Sequence, residues 1–178
     1  MAAAAFIDAA AEARGPTRYA ILPSPIGDLL LTADAAGLTG LYMTPHKDRP
    51  EKTPAWIHDE RALGTALAQV KAYFAGELTE FHLPLAPSGT EFQLRVWRAL
   101  LEIPYGETTT YGALARRIGN ADAARAVGLA NGQNPISIIV PCHRVVGSDG
   151  SLTGYGGGLD RKRFLLDHEA RHAFRLRP

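Results

Sequence analysis

Cys142 is the only cysteine in the 178-residue chain, and it stands between Pro141 and the pair His143 and Arg144. A thiol so placed has a potential base and a fixed positive charge as chain neighbours, and both favour the nucleophilic thiolate. Without such context a cysteine is more often a small buried apolar residue, so the neighbours turn the reading toward nucleophilic chemistry. A single cysteine also excludes an intramolecular disulfide and any zinc site with two or more thiolates, and it fits a reducing cytoplasm. His46, His58, His82, His168 and His172 fall in no ligand-like spacing and read as surface or satisfied structural residues. No metal and no cofactor are expected.

The elements that must hold this thiol can be read from apolar periodicity and turn residues. The β-branched run Ile136 to Val140 predicts a buried strand delivering Pro141 and Cys142. A glycine-rich loop, Gly154 to Gly158, follows it, and a last helix runs from about Asp160 to His168. Upstream, Thr90 and Gln93 have capping-box spacing, and Phe92, Val96, Leu100 and Ile103 repeat at helical intervals until Pro104. Two short helices, about Thr110 to Ile118 and Ala121 to Ala130, are separated by Gly119 and Asn120. That is the outline of a helix-turn-helix, although spacing alone suits a generic helical hairpin equally.

The first half reads differently. Between Tyr19 and Met43, apolar runs broken by Pro25, Gly27, Ala35, Ala36 and Gly37 predict two or three antiparallel strands. Thr44 to Pro54 reads as a loop, and Phe81 to Leu85 as a further strand. Leu63, Leu67, Val70 and Phe74 form the core stripe of a helix stopped by Gly76. The stretch Met1 to Arg14 reads as a frayed or helical extension and lacks the basic start of a secretory signal. Pro84, Pro87, Ser88 and Gly89 form the most convincing linker, which divides the chain into domains 1–88 and 89–178.

Hydrophobic residues make up 46% of the chain, yet no apolar run approaches the roughly 20 residues that cross a membrane. Net charge is +1, unevenly spread: residues 1–88 are acidic and residues 89–178 basic. A basic second half could face phosphates, but as a lone signal it is weak.

Pro141-Cys142-His143-Arg144-Val145-Val146 resembles the active-site signature of O6-alkylguanine-DNA alkyltransferases. Further motifs stand in that family's order and approximate spacing: Tyr105-Gly106-Glu107 with Tyr111, Ala123-Ala124-Arg125-Ala126-Val127-Gly128, Asn134-Pro135, Gly154-Tyr155-Gly156-Gly157-Gly158, and Leu165 to Glu169. They cover nearly all of the second half. The first half resembles the family mainly through Ser24-Pro25-Ile26-Gly27 and its strand pattern. The resemblance implies an α/β (α+β) protein, with an N-terminal ribonuclease H-like domain on a small antiparallel sheet and a C-terminal winged helix-turn-helix domain.

It also implies the chemistry. Cys142 would accept an alkyl group from O6 of a flipped-out guanine, with His143 as base through a bound water and Glu169 orienting His143. Taken alone, Glu169 would read as a solvated carboxylate near a helix end. Guanine leaves only if the charge developing on it is stabilised. The family pattern gives the ring-nitrogen side to the Tyr111 hydroxyl, O6 to backbone around Tyr155 and Gly156, and the exocyclic amine to the Val145 carbonyl. Gly156 departs from the serine of many relatives, which removes a hydroxyl contact. Asn134 would hold the turn under the cysteine. Arg125 would fill the gap left by the flipped base, Tyr111 would help turn the target phosphate, and Ala123, Ala124, Ala126 and Gly128 would let the helix approach the minor groove.

The product is a thioether, which water does not cleave, so each molecule would react once. The implied partner is double-stranded DNA carrying O6-alkylguanine. The resemblance also admits O4-alkylthymine as a substrate and cooperative self-association on DNA. The zinc that some relatives hold through cysteines would be absent here. Three other readings remain: a non-catalytic lesion-binding protein, a helix-turn-helix regulator, and a cysteine hydrolase. The presence of Cys142 argues against the first and the lack of a metal-binding sensor domain against the second, while multiple turnovers on an ester or amide would reveal the third.

Overall fold

A computed structural model describes residues 3–7, 14–44 and 50–175, the side chains of the last two of these excepted. Residues 1–2 and 8–13 of the N-terminal extension, 45–49 of the loop with His46, and 176–178 lie outside it.

Strands β2 (Arg18–Leu22), β3 (Leu29–Ala33) and β4 (Leu38–Met43) form the expected antiparallel meander. Asp34 accepts from the Ala36 amide in the β3–β4 turn. Gly37, at φ 150°, must be glycine there, because a Cβ would lie 2.5 Å from the Pro84 carbonyl oxygen. The sheet is larger and less uniform than a small antiparallel one. Short strands β1 (Ala5–Phe6), β5 (Ile57–His58) and β6 (Pro84–Leu85) extend it to six strands in the order β1-β6-β4-β3-β2-β5, and all three pair in parallel. The N-terminal extension thus contributes an edge strand at Ala5–Phe6 rather than a helix, and only the end of the Phe81 to Leu85 run is strand.

Helix α1 (Gly64–Phe74) buries Leu67 and Val70 in the core that the sheet residues also fill, with Leu63 buried just before its first turn. Gly76 ends it in the left-handed region, at φ 74°. The Ala75 and Glu77 amides close onto the last carbonyls, the arrangement that glycine permits at a helix end. Helix α2 (Glu91–Leu101) starts on the predicted capping box: the Thr90 hydroxyl accepts from the Gln93 amide while the Gln93 side chain accepts from the Thr90 amide.

Helices α3 (Tyr111–Arg117) and α4 (Ala124–Gly132) follow, α4 beginning after a 3-10 turn at Ala121–Ala123. They pack on each other and on α2, whose Trp97 indole donates to the Ala130 carbonyl at 2.8 Å. The wing is minimal. Strands β7 (Thr109–Thr110) and β8 (Val145–Val146) pair in parallel.

Ile136 to Val140 is not a strand. Only Ile136 bridges to Leu41, and residues 137–139 turn back, with the Val140 amide donating to the Ile136 carbonyl at 3.0 Å. The run is buried throughout, as its composition demands, but an apolar run bends when side chains rather than a neighbouring strand take its backbone groups. Helix α5 (Leu159–Arg175) runs past His168. Glu169 therefore lies inside a helix and is fully buried, not on a solvated end. No helix among the described residues is long and apolar enough to cross a membrane.

Candidate active site

The support under Cys142 is a buried turn held by one side chain. The Asn134 amide donates to the Val140 carbonyl at 2.8 Å, and its oxygen accepts from the Ile136 amide at 3.0 Å. Asn134 thus does inside the core what a partner strand would otherwise do. Ile138 sits at φ 73°, a conformation costly for a β-branched residue and held only where its surroundings over-determine it. The surroundings are β4. The Leu41 amide donates to the Pro135 carbonyl and the Leu41 carbonyl accepts from Ser137, at 2.8 and 3.1 Å.

Cys142 opens a single 3-10 turn, Cys142–Arg144, and is 3% exposed. Its carbonyl accepts from Asn131 at 3.3 Å. Burial pushes the thiol upward, opposed by the Asn134 side chain and the positive charge of Lys162.

His143 points to Glu169, its Nε2 lying 2.7 Å from Oε1. A carboxylate can only accept, so Nε2 carries the hydrogen and Nδ1 holds the lone pair of the neutral ring. Nδ1 is buried without a hydrogen-bond partner. Burial depresses the His143 pKa, with Glu169 opposing.

Glu169 is the hub. Arg144 reaches it through Nε at 2.8 Å and Nη2 at 3.0 Å, the Tyr73 hydroxyl donates at 2.9 Å, and the Gly106 amide donates at 3.1 Å. Gly106 is at φ 76°, and a Cβ there would approach that of Ala173 to 2.7 Å. Burial alone would raise the Glu169 carboxyl, but His143 and Arg144 hold it well below the usual carboxylate range. Arg144 therefore serves the carboxylate and the Ile103 carbonyl, 2.5 Å from Nη1, rather than the thiol. Sequence reasoning missed Tyr73 and Gly106 as ligands of Glu169, since nothing local links them to it.

Pairing of β7 with β8 sets Tyr111 beside the Cys142 turn. The Thr110 hydroxyl caps α3 by accepting from the Ala113 amide, and the Tyr111 hydroxyl donates to the Thr153 carbonyl at 2.9 Å. The Val145 carbonyl accepts from Lys162 Nζ at 2.6 Å, which leaves its second lone pair for another donor. Tyr155 is half-buried, its hydroxyl without a hydrogen-bond partner, and Gly156 follows it in the loop. The loop lies against β4, since a Cβ on Gly157 would meet the Met43 sulfur at 2.3 Å.

On α4 and in the turn before it the small residues divide. Ala123, Ala124 and Gly128 are half-buried, with the Tyr111 ring 3.6 Å from a Cβ built on Gly128, whereas Arg125 and Ala126 are exposed. Leu129, 66% exposed, follows Arg125 by one turn, an outward apolar residue that the sequence reading passed over. Among the described residues no group of three His, Cys, Asp or Glu side chains could hold a metal.

Two family profiles match consecutive parts of the chain. The 6-O-methylguanine DNA methyltransferase ribonuclease-like domain covers residues 17–87, and the DNA binding domain of the same family covers residues 91–171. The chain belongs to the 6-O-methylguanine DNA methyltransferase family. Within that family it is 56% identical over 151 residues to the methylated-DNA–protein-cysteine methyltransferase of Methanosarcina acetivorans, covering 85% of this chain and 97% of the relative. To the protein of the same name from Mycolicibacterium paratuberculosis it is 57% identical over 155 residues, covering 87% and 93%. The crystal structure of Mycobacterium tuberculosis OGT in complex with DNA superposes with a TM-score of 0.82 at 55% identity, covering 87% of this chain and 94% of that one. Membership in the 6-O-methylguanine DNA methyltransferase family agrees with the mixed α/β architecture and with the resemblance carried by the Cys142 signature.

Proposed function

We propose that this protein repairs DNA by direct reversal, moving the alkyl group of O6-alkylguanine in a duplex onto Cys142. The single observation that carries the reading is the buried relay from Glu169 to His143, which ends one residue from the only cysteine. In the proposed reaction His143 Nδ1 takes the thiol proton through a bound water. The thiolate sulfur then attacks the alkyl carbon, the S–C bond forms, and the C–O6 bond breaks with its electrons left on the base. The Tyr111 hydroxyl supplies the proton that neutralises the departing guanine, and backbone at Tyr155 and Gly156 faces O6. Arg125 enters the stack, at an unstacking cost of about a few kcal/mol. Attack on saturated carbon gives a thioether, so the protein is consumed.

Residues 1–88 and 89–178 act as scaffold domain and DNA-binding acceptor domain in this reading, supported by the two profiles that meet around Pro87 to Thr90. The site of action is the cytoplasm, where a free thiol persists.

Intact-protein mass spectrometry after incubation with a duplex carrying one O6-methylguanine tests the proposal. One added methyl per protein, mapped to Cys142 and absent from Cys142→Ala, is expected. Binding of the lesion with no gain in mass would mark a lesion-binding protein instead.

A further inference from the structure

Lys162, in the first turn of α5, has no exposed surface. Its ammonium donates to two neutral carbonyls, Val145 at 2.6 Å and Thr153 at 2.7 Å, and no carboxylate among the described residues pairs with it. Buried cations ordinarily have a counter-ion. The first turn of a helix is moreover the end where a positive charge opposes the backbone dipole. Two unfavourable terms at one residue call for a compensating anion.

The candidates around it are few. Burial lowers Lys162 to about 8, opposed only by the negative charge that Cys142 carries as a thiolate, the form that burial of the thiol disfavours. Lys162 in turn favours the Cys142 thiolate and disfavours a protonated His143. The ammonium lies 5.9 Å from the centre of the Tyr111 ring, and the Thr153 carbonyl that it holds also accepts from the Tyr111 hydroxyl.

We propose that Lys162 is a positioning residue of the transfer reaction: its ammonium is the counter-ion of the Cys142 thiolate and, through the shared Thr153 carbonyl, anchors the Tyr111 hydroxyl. Nucleophile and leaving-group donor are thereby set by one buried charge. Lys162 keeps its proton throughout, and no bond to it forms or breaks. The Tyr111 half rests on the function proposed above, whereas the thiolate half does not require DNA.

Because the chain has a single cysteine, protein labelled with ¹³Cβ-cysteine gives one resonance that reports the thiol-to-thiolate change directly. The titration is compared in the wild type, Lys162→Met, Lys162→Gln and Lys162→Arg. An opposite charge within a few ångströms moves a pKa by about one unit or more. The Lys162→Met midpoint should therefore rise by about that amount, an approximately tenfold smaller thiolate fraction near neutral pH. Lys162→Arg, which keeps the charge, should stay near the wild type. If Lys162→Met does not fold, Lys162→Gln, which keeps donors for the two carbonyls, serves the same comparison.

Equal midpoints in the wild type and a folded uncharged variant overturn the pairing. A raised midpoint in a protein that transfers no methyl supports the pairing and tells against the proposed reaction. For transfer itself, Cys142 and His143 act deprotonated and set the rising limb. Lys162 and Tyr111 must keep their protons and set the alkaline fall in rate, which should move to higher pH in Lys162→Arg because a guanidinium does not lose its proton there.

Discussion

Tyr73 donates its hydroxyl to Oε1 of Glu169 across 2.9 Å, the same oxygen that receives His143 at 2.7 Å. The carboxylate of the relay is thus held jointly by α1, from the first half of the chain, and by α5, from the second. The first half is part of the site's construction and more than a neighbour of it.

Glu169→Gln should damage both stability and rate. The change leaves Arg144 buried opposite a neutral amide, and breaking a buried pair in this way costs about 3–5 kcal/mol. Loss of the orienting carboxylate should slow transfer by about a hundredfold, the low end of what a positioned base contributes. Tyr73→Phe removes one neutral donor and should cost about 1–2 kcal/mol. Urea unfolding and single-turnover rates check both variants, and a Glu169→Gln protein no less stable than Tyr73→Phe would contradict the hub.

Acidification should unfold the protein from the relay outward. The folded Glu169 carboxyl lies below its free value of 4.5, held there by His143 and Arg144 against burial. The folded His143 lies below its free value of 6.5, mainly through burial. In both cases the unfolded chain binds more protons as pH falls, so their stabilisation is complete above about pH 6.5 and is lost progressively below it, through each folded value in turn. Unfolding midpoints should fall below about pH 7, and below the free Glu169 value of 4.5 the fall should be steeper in the wild type than in Glu169→Gln. Parallel slopes would remove Glu169 from this account.

Asn134→Ala tests the turn rather than the chemistry. It leaves the Ile136 amide buried without its partner, at about 1–3 kcal/mol, while the Val140 carbonyl keeps only the Cys142 amide. Asn134→Asp keeps the acceptor for Ile136 and should recover part of the loss only. Thermal unfolding of the two variants gives the comparison, and an unchanged midpoint for Asn134→Ala would show that β4 alone holds the loop.

Arg125→Ala should separate DNA from chemistry. Arg125 is exposed on α4 and has no role in holding the Cys142 turn, so reaction with free O6-benzylguanine should persist while duplex repair slows. If the side chain offsets about 1.4 kcal/mol of the flipping cost, duplex repair falls about tenfold. Duplex affinity should also decline with added salt through phosphate contacts. Equal losses on free base and duplex would contradict the intercalating role.

The order of elements was legible in the sequence wherever one residue's local partners decide its conformation. The Thr90–Gln93 capping box, the meander through Tyr19 to Met43 and the left-handed stop at Gly76 are each settled within a few residues, and each stands in the structure. The Cys142 signature and its place near a C-terminal helix were legible for the same reason: a motif is a short-range object.

Tertiary structure decided what short-range reading could not. Ile136 to Val140 has strand composition, yet it turns because Asn134 and Leu41 take its backbone groups. Glu169 reads as a surface carboxylate until Tyr73, Gly106, His143 and Arg144 converge on it from three parts of the chain. Nothing in the local sequence marks Lys162, which packing alone strips of its water. The sequence by itself determined which groups could react. Packing decided which of them are desolvated together, and desolvation is what gives buried charges their strength.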